Sequence, residues 1–146
     1  MTALAAAARR RVRNKGIQTD FEPVVGTGAT IWAGALVSVD TATGRAVAGS
    51  AIAARKFLGL AVETKTGNTG GTVRVKLISN VEVLLAPAAA LTTARIGSNA
   101  CIDDDNTVTT LTDSGTAAAR VRVGRVTEFE DSLVWVHLNS FSEADV

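Results

Sequence analysis

The chain holds one cysteine and one histidine. A thiol–imidazole pair for nucleophilic catalysis therefore has one possible composition, Cys101 with His137. Cys101 lies in the apolar-flanked stretch "ACI", where a free cysteine behaves as a small buried hydrophobe. His137 alternates in step with Leu133 and Trp135 and shares their face of a strand. Neither an orienting third group nor an oxyanion loop accompanies the pair, so no catalytic residue is assigned. Three adjacent carboxylates, Asp103, Asp104 and Asp105, are the other tempting group. Calcium loops of the EF-hand type alternate their ligands and close on a bidentate glutamate at the twelfth position. Counting from each aspartate in turn, that position holds Ser114, Gly115 or Thr116. The segment reads instead as a polar hairpin turn, since Asp and Asn bond their own backbone, and no metal is expected. "GTGATI" at 26–31 begins as a phosphate loop, but it lacks the third glycine and precedes a strand rather than a helix. No cofactor and no small-molecule substrate are expected.

The other chemistry is charge. Arg9, Arg10, Arg11, Arg13 and Lys15 put five of the fifteen basic residues into the first fifteen positions. Residues 1–20 balance at +4 and residues 21–146 at −3, so a basic arm precedes a mildly acidic body. A nucleic-acid binder carries its positive charge on the folded face and stacks bases on aromatic side chains. Four Phe, two Trp and no Tyr do not supply such a platform, and nucleic acid is not the expected partner. A nucleic-acid-binding module that uses the arm remains the alternative. No apolar run approaches the ~20 residues that span a bilayer, so no membrane is expected. The apolar "MTALAAAA" comes before the bases, the reverse of a secretory signal, and a transit peptide is a weaker rival. An acidic protein surface is left as the natural partner. About eleven residues, "AAAARRRVRNK", are too few to hold a helix alone in water. An extended arm is expected, adding a strand to an exposed edge of a neighbour while its cations meet carboxylates. Deleting residues 1–16 is then expected to leave the body folded.

Behind the arm, glycines separate short β-branched runs, the pattern of a small all-β domain. Strands are expected at 31–39, 46–48, 57–63, 72–78, 81–85, 100–102, 107–111, 120–127 and 133–138. "APAAALTTARIG" at 86–97 suits a loop with one helical turn ending at Gly97. In "TVRVKLISNVEVLL", Val73, Val75 and Leu77 alternate with Arg74 and Lys76. A hairpin with a three-residue loop, Ile78 to Asn80, would pair Lys76 with Glu82 and Val75 with Val83. The expected architecture is a small antiparallel barrel or sandwich with an extended basic N-terminal arm. Residues 1–29 form the arm and lead-in, and residues 30–146 form the β-domain. Alanine, valine and leucine carry the apolar share, and such a small-residue core favours oligomerisation.

Five segments, "IWAGALVSVD", "FLGLAVE", "GGTVRVKL", "DDNTVT" and "VGRVTEFED…VWVHL", occur in the order and spacing of the capsid cement, or decoration, proteins of tailed bacteriophages. The chain resembles that family from about the arm to Leu138, though family members often carry Tyr where Trp32 stands. The resemblance implies a β-tulip-like structural protein of the virion with no catalytic activity. It would sit on the outer surface of the head, commonly as a homotrimer on three-fold or quasi-three-fold positions. There it would clamp neighbouring major capsid subunits against the pressure of packaged DNA. Trp32 is then a candidate contact between copies, with the capping of the core as its other reading.

Overall fold

A computed structural model describes residues 3–13, 18–52, 55–88, 91–110 and 121–139. Apart from one 3-10 turn at Thr93–Arg95, every regular element among them is a strand. The strands are β1 (Val12–Arg13), β2 (Thr19–Phe21), β3 (Thr30–Ile31), β4 (Leu36–Asp40), β5 (Arg45–Ala48), β6 (Arg55–Ala61) and β7 (Lys65–Thr66). They continue with β8 (Leu77–Ser79), β9 (Glu82–Pro87), β10 (Asn99–Ile102), β11 (Thr107–Thr110), β12 (Arg122–Glu130) and β13 (Leu133–Leu138). The fold is all-β, as its alternating runs and glycine turns require.

The second half closes on itself. β9 pairs with β13, β13 with β12, β12 with β10, β10 with β11, and β11 returns to β9 as the barrel's parallel pair. These strands aim Val83, Leu85, Ile102, Val108, Val123, Val126, Val134 and Val136 inward, where all are fully buried. Small branched side chains fill a five-stranded barrel to its axis, so its interior is core rather than cavity. The parity of β9 explains how its two edges are shared. Leu84 N–H donates to the Arg11 carbonyl at 3.0 Å and Ala88 N–H to that of Val108 at 2.8 Å. Residues of that parity therefore serve β1 and β11, while β13 takes the opposite edge. Pro87 has the parity of the β13 edge, but β13 pairing ends at Leu85. Its missing N–H costs no ladder bond.

The first half forms a second sheet in the order β2-β8-β6-β4-β5, with the small β3–β7 ribbon beside it. This sheet has apolar residues on both faces. Leu36, Phe57 and Leu60 join the barrel core, while Val25, Ile31, Val37, Ala61, Val75 and Leu77 form a second cluster. The lead-in takes part, because β2 pairs with β8 and Val25 is fully buried.

The expected hairpin between residues 73 and 85 does not form. β8 pairs with β2 and β6, β9 pairs with β13, β1 and β11, and the two strands lie in different sheets. Lys76 N–H bonds a Glu63 carboxylate oxygen at 3.1 Å instead of facing Glu82. Asn80 does adopt the left-handed conformation, φ 57°. It serves to swing the chain from one sheet to the other. The physical reason is visible in the cores: Val75 and Leu77 belong to one cluster, Val81, Val83 and Leu85 to the other. The two alternating runs are buried in different places.

Candidate functional site

The basic arm runs along the chain's own body. Leu4 N–H donates to Asp105 Oδ1 at 2.8 Å, and the Leu4 side chain packs against the second cluster. Ala8 N–H reaches the Ala33 carbonyl at 2.7 Å. Arg10 donates through Nε to the Gly34 carbonyl at 2.8 Å and through Nη2 to Asn106 Oδ1 at 2.7 Å. The arm passes so close to Gly34, at φ 87°, that a Cβ there would fall on the Ala8 carbonyl. Only glycine combines that backbone angle with that approach.

Beyond this point the arm becomes β1, with Val12 opposite Val83 and Arg13 opposite Glu82. Arg11 and Arg13 alternate onto the barrel's outer face, over Trp135. The Arg13 guanidinium lies 3.7 Å from the indole centroid, and that of Arg11 lies 5.5 Å away. Arg13 also bonds Glu82, and Glu128 at 3.1 Å, while Arg11 bonds Glu130. Trp135 is 1% exposed. An indole beneath two stacked cations gains both apolar contact and attraction to the ring face. Its Nε1, like Arg13 Nε, finds no acceptor among the described residues.

The aspartate run is the other end of this fastening. Asp104 Oδ1 accepts from the N–H groups of Asn106 and Thr107, both at 2.8 Å, and from Thr107 Oγ1 at 2.9 Å. It builds the β10–β11 hairpin turn. Asp105 is buried at 3% exposure, and its carbonyl accepts from Leu36 N–H at 2.9 Å. Burial holds the Asp105 carboxyl above its ordinary pKa, and Asp104 adds to this. The Leu4 N–H and Arg10 act against the rise. Burial also pulls the Arg10 guanidinium below its ordinary value, with Asp105 and Asp104 opposing.

The arm residues singled out in the sequence thus have different surroundings. Arg10, Arg11 and Arg13 are held by intramolecular acceptors, Arg9 is exposed, and Lys15 lies outside the described residues. Trp32 is half-buried at the turn between β3 and β4, where its carbonyl accepts from Ala35 N–H at 3.0 Å. Cys101 is fully buried in β10, and His137 lies on β13 with β12 between them. Two strand spacings and an offset along the strands put their backbones more than about 10 Å apart, too far for a proton to pass directly. Glu82, Glu128, Glu130, Trp135, Asp105 and Asn106 hold the arm, a role assigned to none of them from the sequence. The signal for them is in "RVR", whose alternation places Arg11 and Arg13 on one face, and in "EFE", which does the same for Glu128 and Glu130.

A second feature lies on the outer face of the barrel. Arg122, Arg125 and His137 line a cleft of about 380 Å³ with Glu82, Asn99 and Asn139. No protein-family model and no curated protein matches this chain.

Proposed function

We propose that the chain is a structural virion protein that binds the outside of a phage head and clamps neighbouring major capsid subunits. What supports this reading is the resemblance of five segments, in their order and spacing, to capsid cement proteins. In the fold those segments occupy β3–β4, β6, the run into β8, the β10–β11 hairpin and the β12–β13 pair. The solid barrel agrees with a role exercised at surfaces, since chemistry available to a partner lies on outer faces and strand edges. No catalytic role, cofactor or nucleic acid enters the proposal. The assembly on the head is a trimer at three-fold or quasi-three-fold positions, with Trp32 as the candidate contact between copies.

Arg10, Arg11 and Arg13 have to leave intramolecular acceptors before they can meet capsid carboxylates, so docking through them is an exchange of partners rather than a gain of new ones. Co-sedimentation of the purified protein with empty heads, followed by image reconstruction, tests the function. Saturable binding with density at the three-fold positions is expected. Free protein in the supernatant at every concentration, or density only at sites unrelated to those axes, would overturn it.

A further inference from the structure

β12 does not alternate regularly. Val121, Val123 and Val126 all enter the barrel core, a spacing of two and then three. The pairing of β10 with β12 shifts between Ala100 and Cys101, opposite Gly124 and Arg122. Val123 is the residue left without a partner in that register, and Gly124 beside it, at φ 154°, lies so close to β13 that a Cβ on it would fall on the His137 carbonyl. A bulge of this kind redirects side chains. In a regular strand Arg122 and Arg125 would point to opposite faces, whereas here both line the same outer cleft. The bulge therefore concentrates two guanidinium groups beside the His137 ring.

Their electrostatic situation differs from that of the arm. Glu82, the carboxylate in the cleft, is already paired with Arg13. Among the described residues, the guanidinium of neither Arg122 nor Arg125 has a hydrogen-bond or ion-pair partner. Two unmatched forked cations in a concavity suit carboxylates, which they can grip in bidentate fashion. Asn99, at the rim, offers an amide that can both donate to and accept from a peptide backbone. Among the described residues the lining has no Phe, Tyr or Trp on which a base could stack, leaving only the His137 imidazole, and it includes no helix terminus to cradle a phosphate.

We propose that this cleft binds an acidic peptide segment, with Arg122 and Arg125 holding its carboxylates and Asn99 its backbone. The partner's identity as a capsid subunit rests on the cement reading, while the site does not.

Calorimetric titration of the full chain with an acetylated six-residue peptide alternating serine and glutamate tests the site. Saturable binding is expected for this peptide and not for its glutamine counterpart. Arg122→Gln/Arg125→Gln should weaken it at least about tenfold, and Lys56→Gln, an exposed cation on β6, should leave it unchanged. Arg122→Lys/Arg125→Lys, which keeps the charge but not the fork, should fall between. A melting curve like that of the parent chain shows that the double variant is folded. Equal binding by the glutamine peptide or by the folded double variant would overturn the site. Tighter binding of inorganic phosphate or of a single-stranded oligonucleotide would overturn the peptide as its occupant. Co-sedimentation with heads separates the two proposals. Peptide binding without head binding sinks the cement reading and leaves the site standing. Unchanged head binding by a double variant that has lost the peptide removes the capsid as the site's partner.

Discussion

At Trp135, one side chain carries several kinds of interaction at once. Its ring fills the barrel's outer face beneath Arg13 and Arg11, and its Nε1 goes unmatched. Trp135→Ala is expected to lower stability by about 3–5 kcal/mol in denaturant unfolding, the usual cost of deleting a buried aromatic. Trp135→Phe should cost clearly less, because it keeps a ring face for the cations and removes an unsatisfied N–H. Equal losses for the two would show that stacking contributes nothing. Asp105 makes a pH-dependent counterpart. Its folded pKa is raised, so its contribution to stability is complete below the ordinary carboxylate range and is lost as pH rises through the folded value. Asp105→Asn keeps an acceptor for Leu4 N–H without a charge to desolvate. The variant should be at least as stable as the parent at neutral pH and should lose that part of the pH dependence. A melting series from pH 3 to pH 8 reads both, and a variant that is markedly less stable at neutral pH would contradict the burial account.

Among the elements, the arm is where the structure departs most from intuition. A free basic arm would be dispensable to folding. A strap that pairs with β9, covers Trp135 and seats Leu4 in the second cluster is not. Deleting residues 1–16 uncovers the β9 edge and leaves Glu82 partly buried without its cation. The truncated chain should unfold at lower denaturant, with a loss of roughly 2–4 kcal/mol from backbone pairing and apolar burial together. Trp135 fluorescence should shift to the red as the ring meets water. Parent-like unfolding and emission would mean that the strap is ornamental. β13 could be read residue for residue from its alternation, and β10, β11 and the 3-10 turn before Gly97 to within a residue or two. The hairpin at 73–85 could not, because alternation tells which side chains share a face but not which strand lies beside them. Asn80 has the same left-handed turn in either arrangement, and only the separation of the two cores decides between them. The bulge at Val123 and Gly124 leaves a mark in "VRVGRV", whose buried valines stand two and then three positions apart within the strand expected at 120–127.

For the whole molecule, the two cores and the elements that join them set the cooperativity. Asp105 ties the barrel hairpin to β4 through Leu36 N–H and to the arm through Leu4 N–H, and the second sheet contributes Leu36, Phe57 and Leu60 to the barrel interior. Fluorescence and circular dichroism should therefore report one coincident unfolding transition. Two separated transitions would show the barrel and the second sheet to be independent. The pairings that close the fold are remote in sequence, as with β1 on β9 and β9 on β13. Such topology refolds in milliseconds to seconds rather than microseconds.

That remoteness also has an order in time when the chain is made. The arm leaves the ribosome before its partners, since those of Arg13 are spread from Glu82 to Trp135. At roughly 5–20 residues per second, the nascent arginines wait several seconds or longer before the surface they fasten exists. During that wait they are uncompensated cations on an emerging polypeptide, beside ribosomal RNA. The strap is synthesised before the strands it fastens and is among the last elements to find its place, so a pause late in translation would prolong a stage in which its basic residues lack their partners.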